Sequence, residues 1–104
     1  QFTSYMLRKI ARVTSSYAIR IFELLMQFKT TGVVVMSLDE FKLMLELDHK
    51  YDRFSNLKMR VIDPAVRELT TKAGMEITWE PLRKNRRVMT LRFEFKEQPP
   101  LPLD

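Results

Sequence analysis

The sequence contains no cysteine, a single histidine and two glycines, and each scarcity excludes a kind of chemistry. Without cysteine the chain can form neither a disulfide nor a thiolate metal site. The lone His49 cannot supply a histidine pair, which argues against a nickase with a histidine-pair metal centre. Two isolated glycines form no glycine-rich phosphate loop. No run of about 18 apolar residues is present, so neither a transmembrane helix nor a membrane partner is expected.

The acidic residues do not indicate a reaction centre. Asp48, His49 and Asp52 are close in sequence, but a mixed trio in one loop is a weak ligand set. The glutamates of the C-terminal segment are interspersed with basic residues, which favours surface ion pairs over acid–base catalysis. We therefore expect no catalytic residue, no metal and no other cofactor, and we interpret the chain as a binding protein rather than an enzyme.

Positive charge is plentiful. The 104 residues include 18 Lys and Arg against 13 Asp and Glu, which gives a formal net charge of +5. This balance favours anionic partners such as nucleic acid, acidic lipid or acidic protein. A hydrophobic content of 45% and an aromatic content of 11% are typical of a folded domain. We expect one domain over residues 1–96 and a flexible, proline-rich tail over residues 97–104.

Apolar residues spaced three or four apart predict four helices, and a short β-branched run predicts a strand. Ser37 and Glu40 form a capping box at the start of the third helix. The buried stripes of the first three helices are expected to include Leu7, Phe28 and Met44. We expect the first helix at residues 4–12. The second is expected to begin at residue 15 and to end at residues 30–32, and the third to extend from residue 38 to about residue 47. The fourth is expected at residues 55–72, and the strand at residues 33–36.

Pro64 falls inside the fourth helix. It could kink that helix, or Asp63 could cap a new one. Because the apolar stripe keeps its phase across Pro64, we favour one kinked helix.

Alternating residues in the C-terminal part predict a β-hairpin. The first strand is expected at residues 75–80, the turn at residues 81–85 and the second strand at residues 88–95. Trp79 is expected to fill the core, and the apolar side of the second strand is expected to begin at Met89. The order of elements predicts an α+β winged helix, in which three to four helices accompany a small antiparallel sheet that ends in a hairpin wing.

A basic helix beside a basic hairpin is the arrangement with which a winged helix holds duplex DNA. Asn56, Arg60, Asp63 and Arg67 project away from the apolar stripe of the fourth helix. Arginine and asparagine can read guanine and adenine in the major groove. Lys58 falls closer to the apolar side and carries less weight. The predicted DNA-binding residues are Ser15, Ser16, Tyr17, Arg20, Arg53, Asn56, Lys58, Arg60, Arg67, Arg83, Lys84, Asn85, Arg86 and Arg87.

Some of these residues are expected to contact bases and others the DNA backbone. The wing cations suit phosphates or a minor groove, and Arg53 precedes the fourth helix, where it could hold a phosphate. The start of the second helix offers free amides, hydroxyls and Arg20 for another phosphate. The alternative is a solvated basic face whose charges form ion pairs.

Four segments form a distinctive combination, namely residues 15–25 (SSYAIRIFELL), 51–54 (YDRF), 58–69 (KMRVIDPAVREL) and 83–88 (RKNRRV). Together they resemble the iteron-binding plasmid replication initiators, and the resemblance extends over residues 2–95. The sequence departs from the family's usual pattern at Met59, where another basic residue is common, and at Asn85, where the wing usually has glycine.

The resemblance implies that the chain is the C-terminal of two tandem winged-helix domains, with Lys58 and Arg60 in the basic segment of the recognition helix. It further implies binding to double-stranded origin iterons in the bacterial cytoplasm, cooperation with a host initiator and a replicative helicase, and homodimerisation through an N-terminal domain absent from this sequence. Two other readings stay open, namely a winged-helix transcriptional regulator and a winged-helix protein–protein interaction module.

Overall fold

Helices cover one face of a three-stranded antiparallel sheet in the computed structural model, which describes residues 3–97. The strand order is β1–β3–β2, so β3 is central. This α+β arrangement agrees with the predicted order of elements. The elements are α1 (Ser4–Lys9), α2 (Ser16–Gln27), β1 (Val33–Ser37), α3 (Leu38–Met44), α4 (Phe54–Leu57), a π turn (Lys58–Ile62), α5 (Asp63–Ala73), β2 (Met75–Lys84) and β3 (Arg87–Glu97).

Hydroxyl side chains cap the first three helices. Thr3, Ser15 and Ser37 each accept a hydrogen bond from the backbone amide three residues later, at 3.2, 3.2 and 3.0 Å. Such caps satisfy amides that have no partner within the helix. The predicted Ser37 cap is confirmed, and the Ser37 hydroxyl also donates to the Glu40 carboxylate at 3.3 Å.

Helices α1 and α3 are shorter than predicted. Helix α1 ends at Lys9, because the chain turns there to bury both Ile10 and Val13. Helix α3 ends at Met44 in a Schellman motif, in which Glu46 adopts a φ of 59° and the Leu47 amide bonds to the Lys42 carbonyl at 2.7 Å. The motif turns the backbone so that Leu47 becomes buried.

Three residues that were assigned to the buried stripes are exposed instead. Leu7 is 53% exposed, Phe28 39% and Met44 39%. Each lies near the end of a short helix, where the chain leaves the core. The remaining stripe of α2 is buried as predicted, and Leu24 joins it.

α4, the π turn and α5 form one helical run, which we call the long helix. The residues at both junctions, Leu57, Lys58, Ile62 and Asp63, have right-handed helical dihedral angles. The Asp63 amide bonds to the Lys58 carbonyl, five residues back, in the wider π pattern. This wider turn accommodates Pro64, whose ring would otherwise press on the carbonyl four residues earlier. A single helix across Pro64 is confirmed, and Asp63 does not cap a new one.

The core lies between the helices and the inner face of the sheet. Phe41 and Phe93 stack there with ring centroids 5.8 Å apart, and Phe22 is fully buried. The other large side chains that are almost completely buried are Ile21, Leu25, Leu45, Leu47, Leu57, Ile62, Leu69, Met75 and Leu91.

The predicted turn at residues 81–85 is wrong, because β2 continues to Lys84. The turn contains two residues, Asn85 and Arg86, whose φ angles are 53° and 70°. Two positive φ angles are the geometry of a tight type I′ hairpin, and asparagine tolerates it well. Pro81 stays within the strand because β2 is an edge strand, where a missing amide is tolerated.

A bulge in β3 makes the alternation of buried and exposed side chains differ from the predicted one. Leu82 pairs with Thr90 and Arg83 with Val88, so Met89 is the extra residue. The bulge reverses the alternation. Val88 is consequently buried and Met89 is 47% exposed, opposite to the prediction.

Glu97, which was assigned to the tail, belongs to β3. The prolines of the predicted tail lie outside the described residues. Among residues 3–97, no helix has both the length and the apolar character that crossing a bilayer requires.

Candidate nucleic-acid interface

The long helix presents a polar outer face. Its inner side is anchored by buried Leu57, Val61 and Leu69, which fixes the direction of the remaining side chains. Arg60 and Arg67 are exposed on the outside, and Asn56, one turn before Arg60, is half-buried. The helix therefore holds long basic side chains on a rigid support.

The wing places four cations at the tip of the hairpin. Arg83, Lys84, Arg86 and Arg87 are all exposed, and so is Asn85 in the turn. The Arg83 guanidinium donates to the Arg86 carbonyl at 3.1 Å, which ties the end of β2 across the turn. The type I′ turn is thus reinforced by one of its own basic side chains.

Seven exposed cations of the wing, of the long helix and of the residue before it have no acidic partner within the described part of the chain. The ion pairs among residues 3–97 involve other basic residues, including Lys58 and Lys72 of the long helix. Exposed positive charges without a carboxylate partner raise the local potential and attract an anion. We call this set the cationic face; it consists of Arg53, Arg60, Arg67, Arg83, Lys84, Arg86 and Arg87.

A groove connects the wing to the start of the long helix. It measures about 530 Å³, and its lining includes Arg83, Arg86 and Arg87 of the wing. Asp52 and Phe54, on either side of Arg53, line it as well. The wing tip and the first turn of the long helix are therefore neighbours, so one extended ligand can contact both.

The chain matches a known sequence family. Residues 37–95, more than half of the chain, match the family described as "Initiator Rep protein, WH2". The chain belongs to the initiator Rep proteins. The predicted family is thereby confirmed.

Two relatives are considerably longer than this chain. It is 32% identical over 99 residues to a "Replication initiation protein" of Escherichia coli, a match that covers 90% of this chain and 31% of the relative. It also resembles the solved structure described as "Crystal structure of Pi initiator protein in complex with iteron DNA", with a TM-score of 0.76 and 23% identity. That match covers 86% of this chain and 42% of the other, and it confirms the winged-helix fold. The chain thus spans less than half the length of either relative.

Lys58 is exposed but already has partners within the protein. Its ammonium lies 2.7 Å from the Asp63 carboxylate and 5.9 Å from the centre of the Trp79 ring. Asp63, which was expected on the outer face, also accepts a hydrogen bond from the Trp79 indole at 3.2 Å. The π turn, which is hydrogen-bonded between residues five apart, brings Lys58 and Asp63 together. Regular α-helical spacing does not pair residues that are five positions apart, so the contact could not be predicted from helical periodicity.

The start of α2 already has an anion beside it. The Glu68 carboxylate accepts hydrogen bonds from the Thr14 amide at 2.7 Å and from its hydroxyl at 3.3 Å. The Thr14 amide is the main reason why the pKa of Glu68 is lowered, against the opposing effect of burial. Arg20 pairs with Glu46.

The predicted phosphate site at α2 therefore has fewer free groups than expected. The Ser15 hydroxyl is used as the cap of α2, and Tyr17 packs against the core. Ser16 is exposed, and its amide and that of Tyr17 lie in the first helical turn, where no carbonyl of the helix can reach them. The role of these residues in binding DNA stays a prediction.

Proposed function

We propose that this chain is the domain with which a plasmid replication initiator binds duplex DNA at iterons. The observation that carries the proposal is the cationic face, in which exposed and unpaired basic residues occupy the two elements that a winged helix applies to DNA. The iteron DNA bound by the related Pi initiator supports the same choice of ligand. In this proposal the domain acts by binding and catalyses no reaction.

The outer face of the long helix would read bases in the major groove. Arg60 can form a bidentate contact with guanine, and Asn56 can do so with adenine. They are one helical turn apart, so they would address neighbouring base pairs. Arg67 lies further along the same face and would meet the backbone where the groove curves away.

The wing and Arg53 would contact phosphates on both sides of that groove. Arg83, Lys84, Arg86 and Arg87 extend from the hairpin tip, while Asn85 shapes its turn. Each neutralised phosphate contributes about 0.9 to the slope of log affinity against log salt. Ser15, Ser16, Tyr17 and Arg20 form an additional backbone contact in the proposal, provided by amides and hydroxyls rather than by a free charge, since Arg20 pairs with Glu46.

In the whole initiator this domain would act beside others. We propose that the protein dimerises through another domain and works at a plasmid origin in the bacterial cytoplasm, together with a host initiator and a replicative helicase. Lys58 would contribute mainly by steadying the long helix, because Asp63 already neutralises its charge.

The test is selection of duplexes from a random library by the 104-residue chain at about 0.15 M salt, followed by anisotropy titration of the recovered duplex. We expect a defined motif, bound far more tightly than random duplex. Arg60→Ala should lose the preference for that motif. Lys96→Ala is the matched control, since it also removes one positive charge but from an ion pair with Glu76. It should bind like the parent chain.

Recovery of no motif, with weak binding that salt abolishes equally for all duplexes, would contradict sequence-specific recognition. Complete lack of duplex affinity would instead favour a protein–protein module. Occurrence of the motif as direct repeats beside the gene would distinguish a replication initiator from a transcriptional regulator.

A further inference from the structure

An apolar side chain stands among the polar residues of the long helix. Met59 is 61% exposed, although it belongs to the same π turn as buried Val61 and Ile62. Single exposed apolar residues are common on protein surfaces. The position of Met59 is more informative than its exposure, because its exposed neighbours within residues 54–63 are Ser55, Lys58 and Arg60.

Met59 lies between the two residues proposed to read bases. It follows Asn56 by three positions, which is one helical turn, and it directly precedes Arg60. An element that inserts Asn56 and Arg60 into a groove also brings the exposed side chain of Met59, on the flank of the same face, close to that groove. Leu57 and Val61 bury the opposite side of the helix, so Met59 cannot turn inward without displacing the core.

We propose that Met59 is a specificity-determining residue that contacts the C5 methyl group of a thymine in the major groove. This inference rests on the proposed function. A thioether carries no charge and donates no hydrogen bond, so it cannot neutralise a phosphate. The thymine methyl is the apolar feature of the major groove, and an unbranched, polarisable side chain adapts well to it. The partner is therefore a T·A pair beside the bases that Asn56 and Arg60 address.

The experiment replaces thymine by deoxyuridine, which removes the methyl group and leaves the hydrogen-bonding edge intact. Each thymine of the library-selected duplex is replaced in turn, and affinity is measured by anisotropy. We expect one replacement to weaken binding of the parent chain by about three- to fivefold, the effect of exposing roughly one buried methyl group. Met59→Ala should bind the thymine duplex about three- to fivefold more weakly and should no longer distinguish the two duplexes at that position.

Leu43→Ala is the matched control. Leu43 is 63% exposed, close to the exposure of Met59, but lies on α3. It should leave both the affinity and the thymine preference unchanged. Met59→Gln, of similar length but polar, should lose the preference as Met59→Ala does.

Three results would overturn the inference. The first is a Met59→Ala chain that keeps the full thymine preference. The second is a parent chain whose affinity is unchanged by every replacement of thymine by deoxyuridine. In both of these cases specific binding persists, so the proposed function stands. The third is a parent chain that prefers no duplex, which would remove the proposed function and this inference together.

Discussion

Basic residues differ in their ion pairing between the two ends of the hairpin. At the tip, the wing cations have no carboxylate partner among residues 3–97. At the other end, which we call the hairpin base, Glu97 pairs with Lys9 at 3.6 Å and Lys29 at 3.7 Å. The Tyr5 hydroxyl donates to the same carboxylate. Basic residues at the base are thus paired within the protein, whereas those at the tip are free to bind an external anion.

This difference separates charge that stabilises the fold from charge that is available for binding. A net charge of +5 alone does not distinguish the two. Strands of ten or more residues, at about 3.3 Å per residue, hold the two ends roughly 30 Å apart, beyond the Debye length at physiological salt. Changes at the base should therefore leave a ligand at the tip almost unaffected.

The largest expected effect comes from neutralising the wing. Replacing Arg83, Lys84, Arg86 and Arg87 together by alanine should weaken duplex binding by roughly a hundredfold at low salt and reduce the salt slope by about three to four. The matched control replaces Lys9, Lys29, Lys72 and Lys96 by alanine, an equal change in net charge. Anisotropy over a range of salt concentrations compares the two, after thermal unfolding has shown that both are folded. Equal losses would mean that overall charge, not the wing, attracts DNA.

The next effect concerns base recognition. Arg60→Ala should lose about 1–3 kcal/mol at the selected duplex and relax the preference at one base pair, while random duplex binds almost as before. Arg86→Ala should weaken both duplexes alike, because a phosphate contact carries no sequence information. Competition titration measures the ratio of the affinities for the selected and the random duplex. An Arg60→Ala chain with unchanged preference would mean that the recognition face has been placed wrongly.

A smaller effect is expected from the contact between the long helix and β2. Asp63→Ala removes the acceptor for the Trp79 indole and the partner of Lys58, and should reduce the free energy of unfolding by about 1–2 kcal/mol. Urea unfolding followed by circular dichroism measures this, because Trp79 is the one tryptophan of the sequence and is replaced in the comparison. In a Trp79→Phe background, which keeps an aromatic ring but lacks the hydrogen-bond donor, Asp63→Ala should reduce the free energy of unfolding by less than it does in the parent chain. Additive losses would show that the two side chains do not interact.

The smallest effect is the pH dependence of stability at the hairpin base. The hydrogen bond from Tyr5 lowers the pKa of Glu97 from its usual 4.5, burial opposes this, and Lys9 and Lys29 lower it further. Because the lowered pKa belongs to the folded state, the stabilisation is complete above pH 4.5 and is lost as pH falls through the lowered value. Urea midpoints between pH 6 and 3 should fall less steeply for Glu97→Gln. Parallel curves would contradict this role of Glu97.

The sequence predicted those parts of the fold that depend on local pattern. The apolar stripe of the long helix, the Ser37–Glu40 cap and the order of elements are all encoded within short segments. The hairpin turn was misplaced because Pro81 is typical of turns, whereas the structure accommodates it on an edge strand and turns at Asn85. The bulge at Met89 was missed because strict alternation was assumed.

The electrostatic part of the candidate site could be predicted only in outline. The sequence identified which residues are basic, and their exposure on the helix and the wing follows from periodicity. It could not show that Lys58 is neutralised by Asp63 or that Glu68 lies beside the start of α2, because these contacts depend on a π turn and on packing between distant segments. Which cations are free is a property of the tertiary structure.

The most direct test of the central claim is an NMR titration of the ¹⁵N-labelled chain with the library-selected duplex. The account predicts that amide shifts concentrate at residues 53–67 and 83–87, with smaller shifts at residues 15–20, while the amides around Lys9, Lys29 and Glu97 stay unchanged. Shifts centred on the hairpin base, or spread evenly over the basic residues, would contradict the assignment of the long helix and wing as the surface that binds DNA.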